Sequence, residues 1–172
     1  MKSHKIAMGG GCHWCTEAVF QSLIGVKKVE QGFVSPQIDI NTYAEAVIVH
    51  YNPEQINLSD LIEVHLQTHK STSDHSFRKK YPSAIYAFNQ EDLKKTENIL
   101  EHLKERFEGK LITQVHQFGN FKRSEARFHD YYYNNPGKPF CETYISPKLQ
   151  LLKQKFGEVI NHEKINASHE LP

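Results

Sequence analysis

Cys12 and Cys15 are the residues of this chain best suited to chemistry, and they stand in Gly10-Gly11-Cys12-His13-Trp14-Cys15. A short apolar run ends just before this stretch, the glycines allow a tight turn, and helical spacing begins just after it. Cys12 is therefore expected in the first turn of a helix. Unpaired backbone N–H groups and the macrodipole favour an anion there. A free thiol is only about 3% thiolate at pH 7. A dipole contribution of order 1 kcal/mol raises that fraction several-fold, which helps the thiol without fully activating it. At i and i+3 on a helix start the two sulfurs share one face. Three chemistries use that spacing: a thioredoxin-like dithiol, half of a zinc site, and a nucleophile with a resolving partner. No second Cys-x-x-Cys or Cys/His pair at ligand spacing accompanies it, and Cys141 stands alone. The zinc reading is thereby weakened, and the spacing leaves the other two open. The plain alternative, a small buried core cysteine, fits poorly with three preceding glycines and a Trp two residues on.

The elements that must position these thiols follow from periodicity. Residues 5–8 read as a short buried strand and 15–24 as a helix, with Ala18, Val19, Phe20, Leu23 and Ile24 at helical spacing. Residues 26–34 and 43–51 read as strands, the second largely apolar apart from Glu45. Ser59 is expected to cap a helix to residue 69, and 70–80 to form a polar loop. Residues 83–88 read as a strand, 89–107 as a long amphipathic helix, 111–115 as a strand, 124–133 as a helix and 147–156 as a last helix. Strands and helices without strict alternation predict an α+β fold. The expectation is one domain over 1–172: a mixed central sheet with helices packed on it in a two-layer, ferredoxin-like sandwich, and a flexible tail over 157–172.

Bulk properties exclude several classes. The chain has 172 residues, enough for a real core without staples, and a formal net charge of +1. No strong field points to nucleic acid or an anionic membrane. No secretory signal or membrane-length apolar run is seen. An odd count of three cysteines suits a reducing compartment, so the expected location is the cytoplasm. The absence of an exposed apolar stripe makes a monomer the expectation. The 11 histidines are scattered and read mostly as surface residues.

Glu45 offers a second kind of chemistry. A carboxyl facing inward from an apolar strand is costly unless neutral or paired. An ordinary Glu is protonated only about 0.2% of the time at pH 7, so a proton donor here needs a special setting such as burial. Strand parity alone favours a solvent-facing Glu45.

The order of several motifs is more specific than any one of them. Gly11-Cys12-His13-Trp14, with Cys15-Thr16-Glu17-Ala18-Val19-Phe20 after it, resembles the signature of class A peptide-methionine sulfoxide reductases. Tyr43-Ala44-Glu45-Ala46-Val47 resembles that family's strand bearing a catalytic Glu. Tyr81-Pro82-Ser83-Ala84-Ile85-Tyr86 resembles its Tyr-Arg-Ser-Ala-Ile-Tyr segment. Phe121 through Tyr132 resembles the tyrosine-bearing segment, with Glu125 and Tyr131 matching. Phe140-Cys141, then Tyr144-Ile145-Ser146-Pro147-Lys148-Leu149, resembles the stretch carrying a resolving cysteine. The resemblance covers residues 6–156. There are departures: His13 replaces a Phe, Phe33 a Tyr after Gly32, and Ala126 an acidic residue. The link 35–42 is short, Arg78-Lys79-Lys80 replaces a Gly-Thr-Gln pattern, and Phe128-His129-Asp130-Tyr131 replaces His-Gln-x-Tyr.

The resemblance implies reduction of the S epimer of methionine sulfoxide, free or in proteins. Cys12 would be the nucleophile and become a sulfenic acid, with Glu45 as general acid. Trp14 and His13 would line the substrate's methyl site; Tyr131 would donate to the sulfoxide oxygen, and Phe33, also at the substrate, could not. Cys141, expected in a mobile loop, or Cys15 would resolve the sulfenic acid, and a thioredoxin-type donor would reduce the disulfide. No metal or organic cofactor is required. The competing readings are a thiol–disulfide oxidoreductase using Cys12 and Cys15, and a non-catalytic binder of methionine sulfoxide.

Overall fold

The computed structural model describes residues 4–69, 71–72, 81–135 and 137–165. The strands among them are β1 (His4–Gly9), β2 (Val26–Pro36), β3 (Ala44–Tyr51), β4 (Ala84–Ala87) and β5 (Gln114–Arg123). The α-helices are α1 (His13–Gln21), α2 (Leu58–Thr68), α3 (Gln90–Leu103), α4 (Tyr131–Asn134) and α5 (Ser146–Lys155). The strands hydrogen-bond in the order β1-β3-β2-β5-β4, and β4 returns to β1. The α+β class holds, but the expected open ferredoxin-like sandwich is replaced by a closed barrel. The reason lies in β1, which pairs with β3 on one edge (Ile6↔Val49) and with β4 on the other (Met8↔Ile85). Only β4 and β5 run parallel; the other pairings are antiparallel.

Alternation along the strands explains two cores. Ile6, Met8, Val47, Val49, Ile85 and Ala87 face the helices and pack with Phe20, Leu61, Ile62 and Leu149. The opposite parity, including Ala7, Val34, Ala46, Ile48, Ala84 and Tyr86, forms a second cluster with Phe118 and Phe121. Its small side chains suit the interior of a narrow barrel.

Local chemistry sets the helix ends. Asn57, rather than Ser59, caps α2 by accepting the Asp60 N–H at 2.8 Å, and Asn89 caps α3 in the same way through Asp92. A 3₁₀ turn, Lys104–Phe107, follows α3. The strand expected at 111–115 lies at Gln114–Arg123, where Gly119, Asn120, Lys122 and Arg123 blur the alternation. The helix expected over 124–133 is broken. A 3₁₀ turn, Ala126–Phe128, gives way to Asp130 in the left-handed region (φ 54°), and α4 begins after it.

Two further expectations are corrected. The loop around Cys141 is a π-helical turn, Cys141–Ile145, running straight into α5, and both end residues are fully buried. The chain after 157 is docked as far as Ile165: Ile24 N–H donates to the Val159 carbonyl, Asn161 N–H to that of Ser22, and Ile165 is buried. Residues 166–172 and nearly all of the loop expected at 70–80 lie outside the described residues.

Candidate active site

β1 delivers the chain to the start of α1 against β3. A Cβ on Gly9 would stand 2.7 Å from the Glu45 carbonyl, so this close approach demands glycine. Gly9, Gly10 and Gly11 all keep ordinary φ values; among the described residues only Gly25 and Gly109 are left-handed glycines. Gly9 and Gly10 thus serve close approach rather than a left-handed turn, while Gly11 borders open space. On the other face of the joint, His65 of α2 donates from Nε2 to the Gly9 carbonyl at 2.8 Å. His65 and His13 are both buried.

Cys12 occupies the N-cap of α1. Its carbonyl accepts the N–H groups of Cys15 and Thr16 at 3.1 and 3.2 Å. The Cys15 thiol hydrogen-bonds the Cys12 sulfur and holds its pKa below the ordinary thiol value. The amides of Trp14 and Cys15 act in the same sense, while burial and the charge on Glu45 oppose. The same thiol contact, reinforced by burial, pushes the Cys15 pKa far up. Cys12 is therefore the thiolate of the pair and Cys15 its proton-bearing partner.

Glu45 points from β3 towards this helix start. Its Oε1 lies 3.4 Å from the His13 backbone N and 3.3 Å from the His13 ring Nε2. His13 Nδ1 lies 2.8 Å from the Gly32 carbonyl on β2. Gly32 itself cannot carry a side chain, since a Cβ would meet the Lys122 carbonyl at 2.2 Å. Phe33, on the same strand and partly exposed, meets the His13 ring edge-on at 5.2 Å. The solvent-facing alternative for Glu45 is thus overturned, because its carboxylate is held at the joint of α1, β2 and β3.

Trp14 anchors an aromatic group. Its ring stacks on Tyr131 at 4.3 Å and on Phe128 at 5.1 Å, and meets Phe140 edge-on at 5.3 Å. Burial, then the charges of Cys141 and Cys12, raise the Tyr131 pKa, so its hydroxyl stays a donor. Glu17, one helical turn after His13, fixes this arrangement from below. Its carboxylate accepts the backbone N–H groups of Asp130 and Tyr131 at 3.0 and 3.1 Å. Burial raises its pKa to about 7.

The residues singled out from sequence are thus mostly brought together. Cys12, Cys15, His13, Glu45 and Phe33 are contiguous, with Trp14 and Tyr131 beside them. Cys141 is buried near enough for its charge to bear on both Cys15 and Tyr131. Sequence reasoning missed Glu17, the Gly32 carbonyl, and Phe128 and Phe140 as partners of Trp14. The signal for Glu17 was present as a carboxylate on the apolar face Ala18-Val19-Phe20. It also missed a cavity of about 710 Å³ on the Cys15 side of Cys12, lined by Thr16, His69, Tyr81, Tyr144 and Lys148 among others. Among the described residues no group of three His, Cys, Asp or Glu side chains could hold a metal ion, and no helix is long and apolar enough to cross a membrane.

Comparison with known proteins shows the chain's family. Residues 4–160 match the family model described as peptide methionine sulfoxide reductase. The peptide methionine sulfoxide reductase MsrA of Deinococcus radiodurans is 35% identical over 165 residues, covering 87% of this chain and 80% of the relative. That of Trichodesmium erythraeum is 31% identical, covering 91% and 97%. Among solved structures, Mxr1 from Saccharomyces cerevisiae in an unusual oxidized form superposes with a TM-score of 0.66 at 26% identity, over 78% of this chain and 83% of that one. Mxr1 in complex with Trx2 gives 0.60 at 23% identity, over 76% and 85%, a likeness of fold alone. This chain is therefore a member of the peptide methionine sulfoxide reductase family.

Proposed function

We propose that the chain reduces the S epimer of methionine sulfoxide, free or in proteins, with Cys12 as nucleophile. The observation that carries this reading is the joint where Cys12 caps α1 and the Glu45 carboxylate lies 3.4 Å from the backbone N of the next residue, His13. The Cys12 sulfur attacks the sulfoxide sulfur, and the transient S–S bond so formed breaks again as the oxygen passes to Cys12. The substrate S–O bond breaks and an S–O bond to Cys12 forms; the substrate sulfur gains two electrons and Cys12 loses them. Glu45 supplies the proton that the transferred oxygen takes up, which leaves methionine and a Cys12 sulfenic acid. Tyr131 donates to that oxygen as its charge grows. Trp14, with the rings stacked on it, forms the apolar side that receives the methyl group.

A second thiol then displaces the sulfenic oxygen as water and forms a disulfide. Cys141 is the favoured resolving residue, with Cys15 as the alternative. A thioredoxin-type dithiol returns the disulfide to two thiols; the yeast Mxr1 structure in complex with Trx2 supports that donor class. The Cys12–Cys15 contact also suits the second reading, a thiol–disulfide oxidoreductase acting on proteins. One assay separates them. Racemic methionine sulfoxide is supplied with dithiothreitol and each epimer is followed. Loss of the S epimer alone, abolished in Cys12→Ser, is expected. Consumption of the R epimer, or of neither together with reduction of insulin disulfides, sinks the proposal.

A further inference from the structure

His13 meets Glu45 twice, through its backbone N–H at 3.4 Å and its ring Nε2 at 3.3 Å, both to Oε1. The other ring nitrogen, Nδ1, stands 2.8 Å from the Gly32 carbonyl. A carbonyl only accepts, so Nδ1 carries a hydrogen. Two arrangements remain for Nε2. It accepts from a protonated Glu45, or it donates as part of an imidazolium to the Glu45 carboxylate. Each leaves one proton on the pair, whose Nε2 and Oε1 stand 3.3 Å apart.

We infer that His13 is a positioning residue that keeps one transferable proton on the His13–Glu45 pair, beside the Cys12 thiolate. The inference rests on the reading of Glu45 as the acid for the sulfoxide oxygen and assigns the means by which that acid stays loaded. The Gly32 carbonyl fixes the tautomer, as the orienting partner of a catalytic histidine does. The His13 side chain is only 7% exposed and the Phe33 ring meets its edge, so water does not readily replace it. A phenylalanine at this position would fill similar space and offer no nitrogen.

The surrounding charges fit this arrangement. On α1 the nearest titrating groups are Cys12 and Cys15, with the charge on Glu45 bearing on Cys12. Glu17 of the same helix is turned to the α4 amides. On β2, Gly32 and Phe33 bring no charge. Beyond them on β5, Lys122 and Arg123 stand opposite Phe33 and Gly32, with the Lys122 ammonium over the Tyr43 ring. On α4, Tyr131 feels the Cys12 and Cys141 charges. When the pair gives its proton to the departing oxygen, it is left as a Glu45 carboxylate facing neutral His13.

The test is the pH profile of a single turnover. Reduced protein is mixed with methionine sulfoxide and methionine formation is timed from pH 6 to 9, for the unaltered chain, His13→Phe, Glu45→Gln and the double variant. A thiolate and an acid acting together give a bell. His13→Phe is expected to move the alkaline limb at least one pH unit towards acid, at least a tenfold loss on that limb, with KM changed less than threefold. In the Glu45→Gln background the same substitution is expected to add no further change. A raised KM with an unmoved limb makes His13 a wall of the methyl site and overturns the inference. A Glu45→Gln rate equal to that of the unaltered protein overturns the reading of Glu45 itself, a different failure. Nitrogen NMR of the unaltered protein needs no variant to fold: His13 Nδ1 must be protonated throughout the active range, and a neutral Nε2–H tautomer overturns the inference.

Discussion

Glu17 accepts the backbone N–H of Tyr131 at 3.1 Å, so the phenol beside the thiols is fastened to the helix that Cys12 begins. The Asp130 N–H binds the other carboxylate oxygen. Two residues 113 and 114 positions away are thereby held by one buried carboxylate, and the left-handed Asp130 that opens α4 is held in place.

The first prediction concerns that carboxylate. Folded, Glu17 keeps its proton up to about pH 7, against an ordinary value of 4.5. Between those values the folded chain binds more protons than the unfolded one, so stability falls as pH rises. The contribution is fully present below about pH 4.5 and is lost by about pH 7, a change on the order of 3 kcal/mol. His116, whose pKa burial lowers, works in the opposite sense below pH 6.5, so the informative quantity is a difference. Urea midpoints at pH 5 and 7.5 should fall further in the unaltered protein than in Glu17→Gln. Glu17→Gln should differ little in stability at pH 5, where the protonated Glu17 carboxyl, like an amide, accepts only one of the two N–H groups well. Equal pH dependence in the two proteins would exclude Glu17 as the source.

A second prediction concerns Cys15. Its thiol is the largest influence lowering the Cys12 pKa. Cys15→Ala removes that donor and leaves burial and Glu45 to raise it. Alkylation of Cys12 by iodoacetamide, followed against pH and resolved by peptide mapping, should show its midpoint move to higher pH in Cys15→Ala. An unmoved midpoint would mean that the α1 amides alone hold the thiolate.

How far the site was legible in the sequence depends on the range of the interaction. Cys12, His13, Trp14 and Cys15 are adjacent, and a helix start places them without help from the rest of the chain. Glu45 was recognisable as a carboxylate on an apolar strand, but its direction depends on β1 crossing β3 at Gly9, a contact that strand parity does not encode. The helices α1, α2, α3 and α5 were legible because their apolar spacing is strong. The barrel was not, because closure depends on β1 using both edges, and β5 carries a half-exposed, glycine-interrupted pattern. Cys141 looked like a loop residue between Pro139 and Gly137 on one side and a proline-started helix on the other. In the fold, Phe140 against Trp14 and buried Ile145 hold that segment as a helical turn.

A third prediction follows from the Trp14–Tyr131 stack at 4.3 Å. Tyr131→Phe keeps the ring and removes the hydroxyl. It should therefore leave stability and Trp14 fluorescence near their original values and lower kcat, by about tenfold or more if the hydroxyl serves the growing oxygen charge. Tyr131→Ala should change both, since an aromatic pair contributes about 0.5–1.5 kcal/mol beyond its buried area. A full kcat in Tyr131→Phe would leave Tyr131 as a packing residue only.

The last prediction concerns the resolving thiol. Cys141 is fully buried in a π-helical turn, and burial, its largest influence, raises its pKa. Attack on a Cys12 sulfenic acid therefore requires the turn to loosen before a thiolate forms. A buried, protonated thiol is slow by itself, and π turns inside helices are energetically weak points. Resolution should consequently be slower than sulfenic acid formation and should speed up as pH rises. Quenched-flow samples taken after one equivalent of methionine sulfoxide should contain methionine before they contain disulfide. Peptide mapping at completion should find Cys12 bridged to Cys141. Cys141→Ser should still release one methionine per chain and then stop when thioredoxin is the only reductant. A Cys12–Cys15 bridge in the unaltered protein, with turnover surviving in Cys141→Ser, would transfer the resolving role to Cys15 and leave Cys141 as a core residue.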